Sequence, residues 1–223
     1  MKSELIVQND PKSNVAEALR IVRTNLQFSS VDEKLKTILV TSSVPGEGKS
    51  FISSNLAVTF AQNNSKVLLV DCDMRKGRLH KIFNLSNDKG LSNLLIDDIN
   101  TDIKKYIKKT DIENLSIITM GSMPPNPSEL LASAKSKVVI QMLKNKFDYI
   151  IFDGTPVTGL TDSIIMASLV DKVVIVSSVG DINVEILENT KQALSNVNAN
   201  IAGVIANKTP LVNSNYYGYY GDK

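Results

Sequence analysis

The sequence predicts an α/β protein whose mostly parallel sheet carries helices on both faces. Short apolar, β-branched segments alternate with segments of helical periodicity, a pattern typical of parallel sheets covered on both sides. One predicted strand runs directly into a glycine-rich loop and a helix, at Leu39–Ser50. Two other strands end on aspartates, Asp71 and Asp153. Because ligands bind at the carboxyl ends of parallel strands, these features predict one site at that edge of the sheet.

The composition is that of an ordinary globular domain. The 223 residues are 43% hydrophobic and 22% charged, enough for a sizeable core. The net charge of +2 does not favour binding to nucleic acid or to an anionic membrane surface. Cys72 is the single cysteine, as expected in a reducing compartment. No apolar stretch approaches the ~20 residues of a membrane span, and the first residues lack a signal-peptide core, so we expect a cytoplasmic protein.

The first half of the chain contains four predicted elements after an extended arm over residues 1–12. A helix is predicted at Asn14–Phe28, because apolar residues recur on one of its faces. These residues are Val15, Ala18, Leu19, Val22 and Leu26. The strand Thr37–Thr41, the glycine-rich loop and the helix Phe51–Gln62 follow. The strand Lys66–Val70 then leads into the first aspartates.

The second half continues the alternation and ends in a segment of different character. Helices are predicted at Gly90–Ile96, Asp102–Lys109, Asp162–Ser168 and Val184–Asn196. A further helix is predicted with Ser128 as its N-cap, and it continues through Val138–Lys144. Strands are predicted at Leu115–Met120, Tyr149–Phe152, Lys172–Ser177 and Ile201–Ala206. Residues 213–223 are polar, aromatic and interrupted by glycine. We therefore expect one domain over residues 1–212 and a flexible tyrosine-rich tail over residues 213–223.

The glycine-rich loop after the first buried strand is predicted to bind phosphate groups. Gly46 and Gly48 allow backbone N–H groups to close around an anion, and the following helix adds its positive N-terminal end. Lys49 can reach the outer phosphates, and the hydroxyl of Ser50 can reach Mg²⁺. The usual motif has glycine where this chain has Ser43, but the strand and helix on either side supply the expected context. We therefore expect a P-loop NTPase-like fold that binds phosphate groups and Mg²⁺.

Three aspartates are predicted to join this loop. Asp71 and Asp73 follow one strand and Asp153 follows another, so parallel strands would bring them to the phosphate-binding edge. Carboxylates there can hold Mg²⁺ or accept a proton from an incoming hydroxyl. A turn or a helix cap is the alternative for any aspartate after a strand, and it remains open for Asp73.

These segments resemble the nucleotide-binding motifs of bacterial tyrosine kinases. Ser42–Ser50 is similar to the Walker A motif of that family, Leu68–Arg75 to Walker A′ and Tyr149–Asp153 to Walker B. Three further segments resemble the family's oligomerisation helix, a proline-rich segment and a C-terminal tyrosine cluster, at Glu17–Arg23, Pro124–Leu131 and Tyr216–Tyr220. The similarity is to the separate cytoplasmic kinase subunit of Gram-positive capsule and exopolysaccharide systems.

The resemblance implies an ATP-dependent protein-tyrosine kinase that phosphorylates its own tail and regulates the synthesis of capsular polysaccharide or exopolysaccharide. It implies catalytic roles for Lys49, Asp71, Asp73 and Asp153, and Mg²⁺ binding by Ser50, Asp71 and Asp153. It implies nucleotide contacts at Pro45, Gly46, Glu47, Gly48, Lys49, Ser50, Phe51 and Asn207. It implies phosphate acceptance at Tyr216, Tyr217, Tyr219 and Tyr220, and a subunit interface at Glu17, Arg20 and Arg23.

The implied partners follow from the same resemblance. They are other copies of the chain in a ring, a transmembrane activator that holds the kinase at the inner face of the plasma membrane, a cognate tyrosine phosphatase and protein substrates with tyrosines. Nucleic acid is not expected. For Glu17, Arg20 and Arg23 the alternative to an interface is a solvated helix face with an i,i+3 ion pair.

The rival functional class is the switch ATPases of chromosome partition and division-site placement. These proteins share the fold but hydrolyse ATP to gate dimerisation, and they carry a second lysine five positions before the P-loop lysine. This chain has Val44 at that position, which favours the kinase. The chain also departs from the kinase family after Asp153, where residues 154–156 read Gly-Thr-Pro and relatives usually read Thr-Pro-Pro, so we expect a different loop there.

Overall fold

The computed structural model describes residues 4–29, 35–98 and 100–209. Within them the backbone forms a seven-stranded sheet with the order β3-β4-β2-β5-β1-β6-β7. The strands are β1 Thr37–Ser42, β2 Val67–Asp71, β3 Lys108–Lys109, β4 Leu115–Ile118, β5 Tyr149–Pro156, β6 Lys172–Ser178 and β7 Ile201–Asn207. All neighbouring pairs are parallel except β3 with β4. The predicted fold class is confirmed.

Helices cover both faces of the sheet. They are α1 Ile6–Asn9, α2 Asn14–Phe28, α3 Lys49–Gln62, α4 Leu79–Ile82, α5 Leu91–Ile96, α6 Pro127–Ala132, α7 Ala134–Lys144, α8 Asp162–Ala167 and α9 Val184–Ser195. A short 3₁₀ turn lies at Ile103–Lys105. Helices α1 to α4 share one apolar cluster with the sheet, and α5 to α9 share the other. None of the helices in the described ranges is long and apolar enough to span a membrane.

The central strands and α3 are the most buried elements. Every residue of β1 and β2 is buried, which explains their unbroken apolar sequences. Helix α3 lies between the sheet and α2, and all its residues from Ile52 to Ala61 are buried. A helix surrounded in this way needs small residues rather than one apolar stripe, which accounts for its alanines and serines. Strand β7 lies at an edge and exposes Ala202–Val204.

The N-terminal arm is not extended throughout, as the sequence had suggested. Ile6–Asn9 form the helical turn α1, and the side chain of Val7 is fully buried. Asn55 of α3 holds this turn, because its Oδ1 accepts from the Val7 backbone N–H at 3.0 Å. Its amide nitrogen donates to the Glu4 carbonyl at 2.7 Å. This contact spans about fifty residues, so local sequence could not predict it.

Two other predicted helices are corrected. Asp102–Lys109 is not a helix: after the 3₁₀ turn, Lys108–Lys109 pair antiparallel with β4 at the sheet edge. Ser128 does not cap the next helix, because Asn126 is its N-cap and Pro127 occupies the first turn. A new helix, α7, begins at Ala134, capped by the hydroxyl of Ser133.

The departure at Gly154 has a steric cause. Strand β5 continues through Gly154 to Pro156, beyond its predicted end. A Cβ at Gly154 would lie 2.5 Å from Ser163 Oγ and 2.9 Å from Leu39 Cδ1. The Ser163 hydroxyl donates to the Thr155 carbonyl at 2.7 Å, so it occupies this space for a structural reason. A glycine at position 154 therefore fits the packing of this chain.

Candidate active site

The P-loop joins β1 to α3 at the carboxyl end of the sheet. Gly46 and Gly48 have φ values of 87° and 97°, a left-handed conformation that favours glycine. Gly48 is the N-cap of α3, so the first backbone N–H groups of this 14-residue helix are available at the loop. Lys49 is 8% exposed and Ser50 is half-buried. This geometry can bind phosphate groups, as the sequence predicts.

Glu47 holds the P-loop against the end of β6. Its side chain is 1% exposed. Oε2 accepts from the Val44 backbone N–H at 2.8 Å, and Oε1 accepts from the Ser178 backbone N–H at 3.1 Å. The carboxylate is thus used to shape the loop, and the predicted nucleotide contact at this position can involve only the main chain.

Asn207 reaches the same loop from the end of β7. Its Nδ2 donates to the Glu47 carbonyl at 2.8 Å. A Cβ at Gly48 would lie 2.1 Å from this nitrogen, so the contact is a second reason for glycine there. Asn207 therefore lies beside the P-loop, and a contact between its side chain and nucleotide stays a prediction.

Asp71 and Asp153 lie side by side because β2 and β5 are neighbours in register. Both side chains are fully buried. Asp71 Oδ2 accepts from the Leu79 backbone N–H at 3.1 Å. Asp71 Oδ1 and both oxygens of Asp153 have no well-formed hydrogen bond from any described residue. Buried carboxylate oxygens without partners require a cation or a proton.

The pKa values of these two carboxyl groups reflect that burial. Burial raises the pKa of Asp71 well above 3.8, and the neighbouring Asp153 raises it further. Burial likewise raises the pKa of Asp153, to about 6, although the hydroxyls of Ser50 and Ser53 and the ammonium of Lys49 oppose the shift. Without a bound cation, the pair therefore retains protons at a higher pH than ordinary aspartates do.

Asp73 combines a turn with a place in the active-site cleft. Its Oδ1 accepts from the Arg75 and Lys76 backbone N–H groups at 3.2 and 2.8 Å, which is the turn that the sequence left as an alternative. The residue is only partly buried and lines the cleft beside the P-loop. Cys72, which lies between Asp71 and Asp73 in the sequence, packs in the apolar core, where burial raises the pKa of its thiol.

The cleft measures about 420 Å³ and opens between the P-loop and the loops after β2 and β5. It is lined by Pro45, Gly46, Gly48, Lys49, Ser50, Phe51, Asp73, Arg75, Lys76, Arg78, Pro156 and Leu160. Asp71 and Asp153 are not part of its surface. Arg75, Lys76 and Arg78 were not among the predicted site residues, although this basic segment begins two positions after Asp73. Four cationic side chains around one cleft favour an anionic ligand.

The donor set near Asp153 fits Mg²⁺. The described residues hold no cluster of three or more Asp, Glu, His or Cys side chains that could bind a metal alone. Mg²⁺ typically takes only one or two carboxylates and completes its shell with waters and substrate phosphates. The partnerless oxygens of Asp153, close to the Ser50 hydroxyl, suit such a partial shell.

Helix α2 carries the predicted interface residues, and its arginines have partners within the chain. Arg20 donates to Glu17 Oε2 at 3.0 Å and to the Pro11 carbonyl at 2.7 Å. Arg23 donates to the Thr59 carbonyl at 2.9 Å. The i,i+3 ion pair of the alternative interpretation is thus present, and a subunit interface stays a prediction. The predicted phosphoacceptors, Tyr216, Tyr217, Tyr219 and Tyr220, lie outside the described residues.

Comparisons with known proteins decide between the kinase and the switch ATPase. The AAA domain family matches residues 35–205. The chain is 37% identical to the tyrosine-protein kinase YwqD of Bacillus subtilis over 223 residues, covering 100% of this chain and 93% of YwqD. The chain belongs to the bacterial tyrosine kinases. CapB of Staphylococcus aureus is 40% identical to this kinase over 221 residues, covering 99% of this chain and 96% of CapB.

Solved structures agree with this assignment. The chimerical protein CapA2B2 matches the kinase with a TM-score of 0.89 and 38% identity, covering 94% of this chain and 92% of that one. The septum site-determining protein MinD of Pyrococcus horikoshii matches at 22% identity with a TM-score of 0.64, which shows a shared fold alone. The predicted family is therefore confirmed. The chain also covers nearly the whole length of CapB and YwqD, as predicted for a separate kinase subunit of the Gram-positive type.

Proposed function

We propose that this kinase transfers the γ-phosphoryl group of ATP to tyrosines, including the tail cluster Tyr216–Tyr220, and thereby regulates the synthesis of capsular polysaccharide or exopolysaccharide. The observation that carries the proposal is the cleft, where the P-loop and Lys49 face Asp73 with two buried carboxylates beside them. Phosphoryl transfer depends mainly on positioning and on electrostatic stabilisation, which this arrangement supplies.

The P-loop N–H groups and Lys49 would hold the β- and γ-phosphates. Ser50 and Asp153, with Asp71 next to it, would hold Mg²⁺, which neutralises charge on the phosphates when bound. Asp73 is the only one of the three predicted aspartates at the cleft surface, so it is best placed to accept the tyrosine proton. The tyrosine oxygen forms a bond to the γ-phosphorus. The bond between the γ-phosphorus and the oxygen that bridges it to the β-phosphate breaks, and the electron pair of that bond leaves with ADP.

The partners of the kinase belong to the same proposal. CapA2B2 is named as a chimera, and the family resemblance supports a transmembrane activator that holds the kinase at the inner face of the plasma membrane. A ring of copies through Glu17, Arg20 and Arg23 would place each tail near a neighbour's cleft. A cognate phosphatase would reverse the modification.

Replacing Asp73 with Asn tests the assignment of the proton acceptor. The amide keeps the turn, because its oxygen can accept from the two backbone N–H groups, but it cannot take a proton. Formation of phosphotyrosine, measured with activator peptide, should fall about 10²–10⁴-fold, while ATP affinity changes little. Unchanged turnover in Asp73→Asn would contradict the role of Asp73.

A further inference from the structure

A buried carboxylate outside the predicted motif residues holds one arginine at the edge of the cleft. Asp162 is the first residue of α8 and is 1% exposed. Its Oδ2 accepts from Arg75 Nε at 3.3 Å, although the two residues are 87 positions apart. The Arg75 backbone N–H also donates to Asp73 Oδ1, so this residue is fixed at its main chain and at its side chain.

The pair leaves most of the guanidinium available. Arginine has five N–H donors, and the contact with Asp162 uses only the one on Nε. No other acceptor in the described part of the chain bonds to this guanidinium. The Arg75 side chain is 37% exposed and lines the cleft with Lys49 and Asp73. Four N–H groups on its two Nη atoms therefore remain for an anion in the cleft.

A purely structural ion pair explains these features less well. Removing a carboxylate from water is energetically costly, and one partly exposed arginine at 3.3 Å compensates little of that cost. Asp162 Oδ1 is buried and has no hydrogen-bond partner among the described residues, so the group is not optimised for stability. The pair instead restricts a flexible side chain to one position beside the P-loop, which lowers the cost of ordering it on ligand binding.

We propose that Asp162 is a positioning residue which directs the Nη groups of Arg75 to the equatorial oxygens of the transferring phosphoryl group. Arg75 then acts as a catalytic residue supplied within the chain. Negative charge on those oxygens is best stabilised by donors that are oriented before the reaction, and a planar guanidinium matches two oxygens at once. The assignment rests on the proposed phosphoryl transfer and adds two residues to it.

The test compares the binding of ADP·Mg²⁺ with that of ADP·Mg²⁺ plus aluminium fluoride, which mimics the transferring group. Asp162→Asn should weaken binding of the fluoride complex at least 10-fold and leave ADP·Mg²⁺ affinity within about 3-fold. Arg75→Ala should show a larger loss of the same kind. The double variant should bind no worse than Arg75→Ala, because Asp162 acts only through that arginine.

Two further variants and a kinetic readout make the test specific. Arg75→Lys keeps one charge but loses the Nη pair, and it should also lose the preference for the fluoride complex. Glu185→Gln removes a carboxylate from the first turn of α9, which does not line the cleft, and should change neither affinity. In the kinase assay, Asp162→Asn should lower kcat about 10–100-fold with little change in KM for ATP.

The outcomes separate this inference from the proposed function. Equal losses for ADP and for the fluoride complex in Asp162→Asn, or losses that multiply in the double variant, would overturn the positioning role. If the binding preference behaves as expected but wild-type protein forms no phosphotyrosine, the arginine assignment stands and the proposed acceptor is wrong. Thermal melting of each variant excludes loss of fold as the cause.

Discussion

Asp153→Asn should stabilise the nucleotide-free protein in a pH-dependent way. Burial raises the pKa of this carboxyl from 3.8 to about 6 in the folded state. The folded state therefore binds the proton more tightly than the unfolded state does, and its stability falls as pH rises from about 4 to about 6. A shift of this size corresponds to about 3 kcal/mol above pH 6. The uncharged amide of asparagine does not titrate and should escape this loss.

The assay measures the free energy of unfolding in urea at pH 4.5 and at pH 7.5 for both proteins. Relative to wild type, Asp153→Asn should gain about 2 kcal/mol between the two pH values, because part of the total loss has already occurred at pH 4.5. Asp148→Asn is the matched control, since Asp148 is a carboxylate at the opposite, amino-terminal end of β5 that accepts from the Lys66 N–H. A wild-type stability that does not fall with pH, or an equal change in both variants, would refute a buried and unneutralised Asp153.

The remaining predictions concern packing, assembly and the tail. Gly154→Thr should lower the free energy of unfolding by about 1–3 kcal/mol in urea melts, because its Cβ would crowd Ser163 and Leu39, and Ser163→Gly should recover part of the loss. Reversing Arg20 and Arg23 together to Glu should shift light scattering from oligomer to monomer, since attraction becomes repulsion; a wild type that is monomeric with activator present would exclude this interface. A P-loop-inactive chain that keeps its tail should gain phosphotyrosine from an active chain truncated after residue 213; self-labelling of wild type at a concentration-independent rate would instead indicate transfer in cis.

The motif-bearing elements could be predicted because their signals are local. The strand, loop and helix around Lys49 follow from glycine placement and apolar runs, and α2 was predicted with the bounds that the structure has. The adjacency of Asp71 and Asp153 required only that their strands be parallel neighbours. Each of these inferences depends on residues close in sequence or on a general rule for parallel sheets.

The contacts that the sequence did not predict are long-range. Glu47 binds a backbone N–H 131 positions away, and Arg75 binds a side chain 87 positions away. Lys108–Lys109 lack the apolar alternation of a strand and form one only because β4 offers a free edge. Such pairings depend on the assembled sheet, so local propensity carries no signal for them.

The most direct test of the account is phosphotyrosine formation by purified wild type and by Lys49→Met, with labelled ATP, Mg²⁺ and an activator peptide. Lys49 lines the cleft and is not part of either apolar cluster, so the variant should melt like wild type. We predict phosphotyrosine on the tail of wild type and none in Lys49→Met. Release of free phosphate without phosphotyrosine in wild type, or retained phosphotyrosine in Lys49→Met, would contradict a tyrosine kinase that acts through this P-loop.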